Sequence, residues 1–294
     1  MKSKTKIWLG VGAFVVAGAG SAQIPIATGL DARALEPSAT VSGLKDSASI
    51  PRFAVRRVQF AAAQDGGEGG EGGEGGEAGI NVAAADSDPV EYGVALQVIA
   101  AHYYAGLAAY EAKEFEAGAQ MFAHGLSEVY VEMEEVFRRR GVTDLGKKLE
   151  AAVEAASAKQ PTAQVRQRVR AVLQALTAAE KAGPASSAPA LATKAEVVAN
   201  LLNRAAMQYS VSVDDKNIEP YLDGLGFTIA ARTEATKVLP WLRRRDKKKA
   251  AAVSAALALA KQAYPGIRRP VTKVPTGKFL AASSSAMLAV SNLK

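Results

Sequence analysis

From Pro89 to the C-terminus, apolar residues recur in steps of three and four, the period of helices that bury one side. Val94, Val98, Ala105 and Ala109 share one face of the first predicted helix, and Leu96, Ile99, Tyr103 and Tyr110 share another. A helix apolar on two faces is expected to be buried on most sides. Ser87-Asp88-Pro89 marks its start, a capping side chain followed by a first-turn proline, and the apolar character runs to Ala112. A second helix is predicted from about Glu114 to Arg140 on Phe115, Ala119, Phe122, Leu126, Val129, Met133 and Val136, with Gly141 ending it. A third follows Thr143. A fourth follows Pro161-Thr162 and carries Val165, Val169, Val172 and Leu173, before Gly183-Pro184-Ala185-Ser186-Ser187 breaks the pattern. The rest predicts helices at about 193–212, 217–245 with a kink at Pro240, 246–263, and a last one after Gly277. The expected fold is all-α, a bundle of about eight helices.

Sliding the chain by 105 residues places Leu96 on Leu201, Ala100 and Ala101 on Ala205 and Ala206, Tyr104 on Tyr209, Phe122 on Phe227, and Arg138-Arg139-Arg140 on Arg243-Arg244-Arg245. Helix order agrees at the same offset, so two related four-helix halves are expected, at about 86–183 and 193–294. His102 then falls on Met207, His124 on Ile229 and Glu128 on Thr233, so the second half does not repeat these polar residues.

The N-terminal portion lacks this period. Residues 1–22 carry Lys2, Lys4 and Lys6, an apolar run from Ile7 to Ala19, and the ending Gly20-Ser21-Ala22, the three-part pattern of a signal peptide. Cleavage after Ala22 and a periplasmic or secreted destination are expected, with no transmembrane segment in the mature chain. Residues 23–64 read as disordered or irregular, 65–79 as a Gly/Glu-rich flexible linker, and 80–294 as the helical domain. The sequence has no cysteine, which excludes a disulfide framework and thiolate chemistry. Removing the three signal lysines leaves 33 basic residues against 29 acidic, about +4 instead of +7. The triplets Arg138–Arg140 and Arg243–Arg245, the latter continuing to Lys247–Lys249, suit solvated helix C-termini, and no nucleic-acid partner is expected.

The only histidines, His102 and His124, lie 11 residues either side of Lys113, the middle of a tight turn between two helices. In an antiparallel pair, residues equidistant from the turn lie at similar height, because both helices rise about 1.5 Å per residue. Met121 and Glu128 share a stripe with His124 at 100° per residue, so His102, His124, Met121 and Glu128 form a candidate metal site. Imidazole with thioether suits copper, whereas imidazole with Glu128 or Glu135 suits iron or zinc. The competing reading makes His102 a core residue bonded to a tyrosine or a carbonyl and His124 an interhelix contact. Nucleophile elbows, phosphate loops and dinucleotide fingerprints do not occur, so the chain is not read as an enzyme.

Two resemblances follow. Gly106, Tyr110, Phe115, Gly118, Phe122 and Gly125 fall at the spacings of a single tetratricopeptide hairpin over residues 101–125. The whole chain, exported and internally doubled with a histidine and carboxylate cluster, resembles the imelysin-like periplasmic proteins, a group associated with iron uptake. Their Gly-x-His-x-x-Glu motif is not reproduced: Ala100 stands two residues before His102, and Ser127 stands three after His124 with Glu128 one later. The resemblance implies a transition-metal ion, copper or iron, bound for delivery, uptake or resistance. The alternative is a protein-interaction module with a helical groove for another periplasmic or membrane protein.

Overall fold

The computed structural model describes residues 79–214, 217–270, 272–291 and 293, all within the unit Gly67–Lys294. The predicted signal peptide, the irregular segment and nearly all of the Gly/Glu-rich linker lie outside the described residues. Most of those described are helical, and none lies in a strand. A short helix α1 (Val82–Ala85) leads to α2 (Pro89–Glu111). The second rod consists of α3 (Phe115–His124), a π-helical turn (Gly125–Tyr130) and α4 (Val131–Arg139). Next come α5 (Leu145–Ser157), α6 (Thr162–Ala179), a 3-10 turn (Glu180–Ala182), α7 (Ala190–Ser212), α8 (Glu219–Arg245), α9 (Lys247–Ala263) and α10 (Thr276–Val290). Among the described residues no helix is long and apolar enough to cross a membrane.

Helix boundaries follow local chemistry. Asp88 adopts an extended conformation and accepts a bond from the Val90 amide at 2.7 Å, while Pro89 loses nothing by lacking an N–H in the first turn. Asp246 does the same for α9, accepting from the amides of Lys248 and Lys249, and so separates α8 from α9. Lys113 turns the chain between α2 and α3 at φ 72°, and Gly141 ends α4 at φ 74°. Pro240 leaves the Thr236 carbonyl without an i+4 donor, yet α8 continues through it to Arg245.

Helix α2 lies at the centre, packed by α3, α6, α7 and α8, which is why it buries Tyr92, Val94, Leu96, Val98, Ile99 and Tyr103 on different sides. Two backbone approaches set its neighbours. Gly106 of α2 and Gly118 of α3 face each other: a Cβ on Gly118 would lie 2.8 Å from the Gly106 carbonyl oxygen. A Cβ on Gly226 of α8 would lie 2.3 Å from the Ala101 carbonyl oxygen. Side chains any larger than hydrogen would push these helices apart. Buried tyrosines fix the next layer. Tyr103 donates to the Leu149 carbonyl at 3.1 Å, Tyr92 to that of Ala179 at 3.1 Å, and Tyr264 to that of Ala205 at 3.0 Å.

The π-turn accounts for one departure from a uniform period. An i+5 turn takes up one residue more than an α-turn and so shifts the facing of residues within it, while Val129, Met133 and Val136 remain buried as the period predicts. Leu126, expected on the core stripe, is only partly buried, whereas Gly125, Val129 and Tyr130 are buried. Adding 105 to the bounds of α2, of the α3–α4 rod and of α5 gives 194–216, 220–244 and 250–262, beside the observed 190–212, 219–245 and 247–263. The same shift carries α6 to 267–284 against the observed 276–290.

Candidate metal site

His102 is set by its own helix. Its Nδ1 lies 2.8 Å from the Val98 carbonyl, which can only accept, so Nδ1 carries the proton and the neutral ring presents its lone pair at Nε2. Of the two partners expected for this ring, a tyrosine or a carbonyl, it has the carbonyl; Tyr103 donates instead to the Leu149 carbonyl and Tyr110 to that of Gln160. The ring is 5% exposed, with Phe227 at 6.4 Å between ring centres. A Cβ on Gly125 would come within 3.1 Å of the His102 Cβ, so the π-turn crosses α2 right beside it. Burial holds the His102 pKa down at about 4, against the opposing effect of the Val98 bond.

The lone pair of His102 faces a carboxyl group of α8. Nε2 lies 3.5 Å from Asp223 Oδ1, longer than a hydrogen bond, and that oxygen is buried with no hydrogen-bond partner. Burial pushes the Asp223 pKa up to about 8, with the negative charges of Glu219 and Glu128 adding to the rise. At neutral pH the pair is therefore a neutral acid facing a neutral base.

His124 comes to 6.4 Å from His102, ring centre to ring centre, at 74° between the planes. Its Nδ1 faces Glu128 Oε1 at 3.7 Å and Glu219 Oε1 at 3.6 Å. Glu219 occupies the first turn of α8, where the helix dipole favours an anion, and Gln120 donates to its second oxygen at 3.3 Å. Exposure rises from His102 outward, through 17% for His124 and for Asp223 to 36% for Glu219, so the group opens to solvent at its Glu219 side.

Of the four residues expected from sequence, His102, His124 and Glu128 come together. Met121 is 1% exposed among the apolar core residues, while both imidazoles face carboxylate oxygens. Glu135 turns to Arg138 at 2.7 Å and Arg139 at 3.3 Å. Asp223 and Glu219 were not foreseen, because they join from a helix about a hundred residues away. Their spacing of four on one helix, next to the close-approach glycine Gly226, is the only signal the sequence offered. The second half thus contributes two carboxylates to the first half's histidines.

Nitrogen and oxygen donors in this number suit borderline and hard divalent ions, and a backbone carbonyl behind the His102 ring is the support metal-bound imidazoles commonly have. Among the described residues, no group of three or more His, Asp or Glu side chains is placed so that it could hold a metal ion. The imidazoles and carboxylates are neighbours at 3.5 to 3.7 Å. Compared with known proteins, the chain matches no family model, no curated protein and no solved structure.

Proposed function

We propose that this protein binds a divalent transition metal through His102, His124, Asp223, Glu128 and Glu219, without catalysis, for delivery, uptake or resistance outside the cytoplasm. One observation carries the reading: a buried imidazole lone pair and a buried carboxyl oxygen without a hydrogen-bond partner face each other at 3.5 Å. In the metal-free protein the Asp223 proton lies between these two atoms, and a divalent ion would compete with it for the same pair. Binding releases the Asp223 proton and draws the carboxylates inward. Oxygen donors outnumber nitrogens and Met121 sits in the core, which favours iron(II), zinc or manganese over copper(I).

Export supports the same role, through the signal-like residues 1–22, and the shared helix order at the 105-residue offset supports descent of both halves from one four-helix unit. The test is equilibrium dialysis of the untagged mature chain against Fe²⁺ under anaerobic conditions, and separately against Zn²⁺, Mn²⁺ and Cu²⁺. Wild type is expected to retain ion, and the His102→Gln/His124→Gln double variant to lose it. Equal retention by both, for every ion, overturns the proposal.

A further inference from the structure

We infer that the tip of the α8–α9 hairpin is a docking surface for a membrane rich in anionic lipid. Tyr264, at the end of α9, stands 5.1 Å from Tyr221, near the start of α8, ring centre to ring centre, so the two helices double back on each other. Their junction, residues 243–249, is therefore a corner. It carries Arg243, Arg244, Arg245, Lys247, Lys248 and Lys249 with a single acid, Asp246. That acid is turned to the backbone, since its Oδ1 accepts from the amides of Lys248 and Lys249. Every cation of the six except Lys249 is exposed.

Fold stability accounts for only half of this cluster. Three arginines in the last turn of α8 complement its dipole, but three lysines in the first turn of α9, where no acid accompanies them, oppose the dipole of theirs. The first half treats its own arginine triplet differently. Glu135 holds Arg138 at 2.7 Å, Asp86 holds Arg139 at 2.9 Å, and Arg140 donates to the carbonyls of Asp86 and Ala182. At the hairpin tip, Arg243, Arg244, Lys247, Lys248 and Lys249 have no carboxylate partner among the described residues. Cations this close repel one another within a Debye length of about 10 Å, and an anionic surface laid against them turns that repulsion into attraction. A bilayer fits the corner better than a nucleic acid does. Trp241, one turn before Arg245, is half-buried with the Arg245 guanidinium 5.1 Å over its ring, a pairing that suits the headgroup layer and takes the face a base would stack on. An exposed corner also lacks the groove that tracks a strand.

The experiment titrates the mature chain, from Gln23 onward, with vesicles of equal parts phosphatidylglycerol and phosphatidylcholine, and with vesicles of phosphatidylcholine alone. It reads co-sedimentation and the emission of Trp241, the only tryptophan after residue 22. Binding to the anionic vesicles with a blue shift of Trp241 is expected at ~0.1 M salt, falling more than about tenfold at ~1 M, where the Debye length is about 3 Å. At roughly fivefold per cation, Arg243→Gln/Arg244→Gln/Lys247→Gln/Lys248→Gln should bind at least about a hundredfold more weakly, at unchanged helicity by circular dichroism. Arg138→Gln/Arg139→Gln, which removes cations already paired, should change binding by less than about threefold. The charge-keeping Arg243→Lys/Arg244→Lys variant should bind as wild type does. No binding by wild type, equal binding to both kinds of vesicle, an unmoved Trp241 emission, or a quadruple variant that binds like wild type overturns the proposal. Tighter binding of a mixed-sequence DNA duplex through the same four cations overturns it too, and assigns the tip to nucleic acid. Because the comparison of the two vesicles uses wild type alone, loss of fold in a variant does not blunt the test.

Discussion

Replacing Asp223 with Asn should remove a fall in stability with rising pH from the metal-free protein. Asp223 titrates at 3.8 when unfolded and at about 8 in the fold, so between these values the folded chain holds the extra proton. Stability then falls by about 1.36 kcal/mol per pH unit as pH rises. His102 acts in the opposite sense: it titrates at 6.5 when unfolded and at about 4 in the fold. From pH 4 to 6.5 the unfolded chain holds that extra proton, and stability rises at the same slope. The two cancel over pH 4 to 6.5, and from 6.5 to 8 only Asp223 remains, a loss of roughly 2 kcal/mol. In Asp223→Asn the histidine acts alone, giving a gain of roughly 3 kcal/mol from pH 4 to 6.5 and a level profile to pH 8. Urea unfolding followed by circular dichroism, in chelator and at half-unit pH steps, measures both curves. Subtracting them removes every group the two proteins share. Parallel curves between pH 6.5 and 8 would refute a neutral buried Asp223 in the folded state.

Other predictions address the scaffold. Gly226→Ala sets a methyl against the backbone of α2, 2.3 Å from the Ala101 carbonyl oxygen, and should cost roughly 3 kcal/mol in urea unfolding. Tyr103→Phe removes the bond to the Leu149 carbonyl and should cost about 1 kcal/mol, with no change in helicity. Lys194 bridges Glu180 and Glu234, each at 2.8 Å, with Glu234 8% exposed. Lys194→Met leaves that buried carboxylate short of its main partner and should cost roughly 3 kcal/mol at pH 7. Recovery of much of that loss in Lys194→Met/Glu234→Gln would confirm the cause.

Helices were legible because their ends, like their period, are set by local residues. Asp88-Pro89, Gly141, Pro161 and Asp246 act within a few residues of themselves, so sequence places the boundaries of α2, α4, α6 and α9 nearly where they fall. The π-turn was not legible. Nothing in Gly125-Leu126-Ser127-Glu128-Val129-Tyr130 announces an i+5 bond, and the close fit at Gly125, where a Cβ would lie 3.0 Å from Tyr103 and 3.1 Å from the His102 Cβ, is a tertiary contact. A constant 100° step therefore keeps Leu126 on the core stripe, where the structure leaves it half out.

The site was half legible for a related reason. Symmetry about Lys113 places His102 and His124 near one another, since both belong to one hairpin and its turn is local. Met121 shares a stripe with His124 by spacing, and it is buried among the apolar core residues. Which helix covers the hairpin depends on the Gly226 approach to Ala101, a contact spanning 125 residues that no periodicity encodes. Once α8 is there, its Glu219 and Asp223 bring two oxygen donors, and the expected chemistry moves from a thiophilic ion toward one that oxygen holds. A change of one packing partner, with every helix correctly placed, is thus enough to change the metal class that a histidine pair implies.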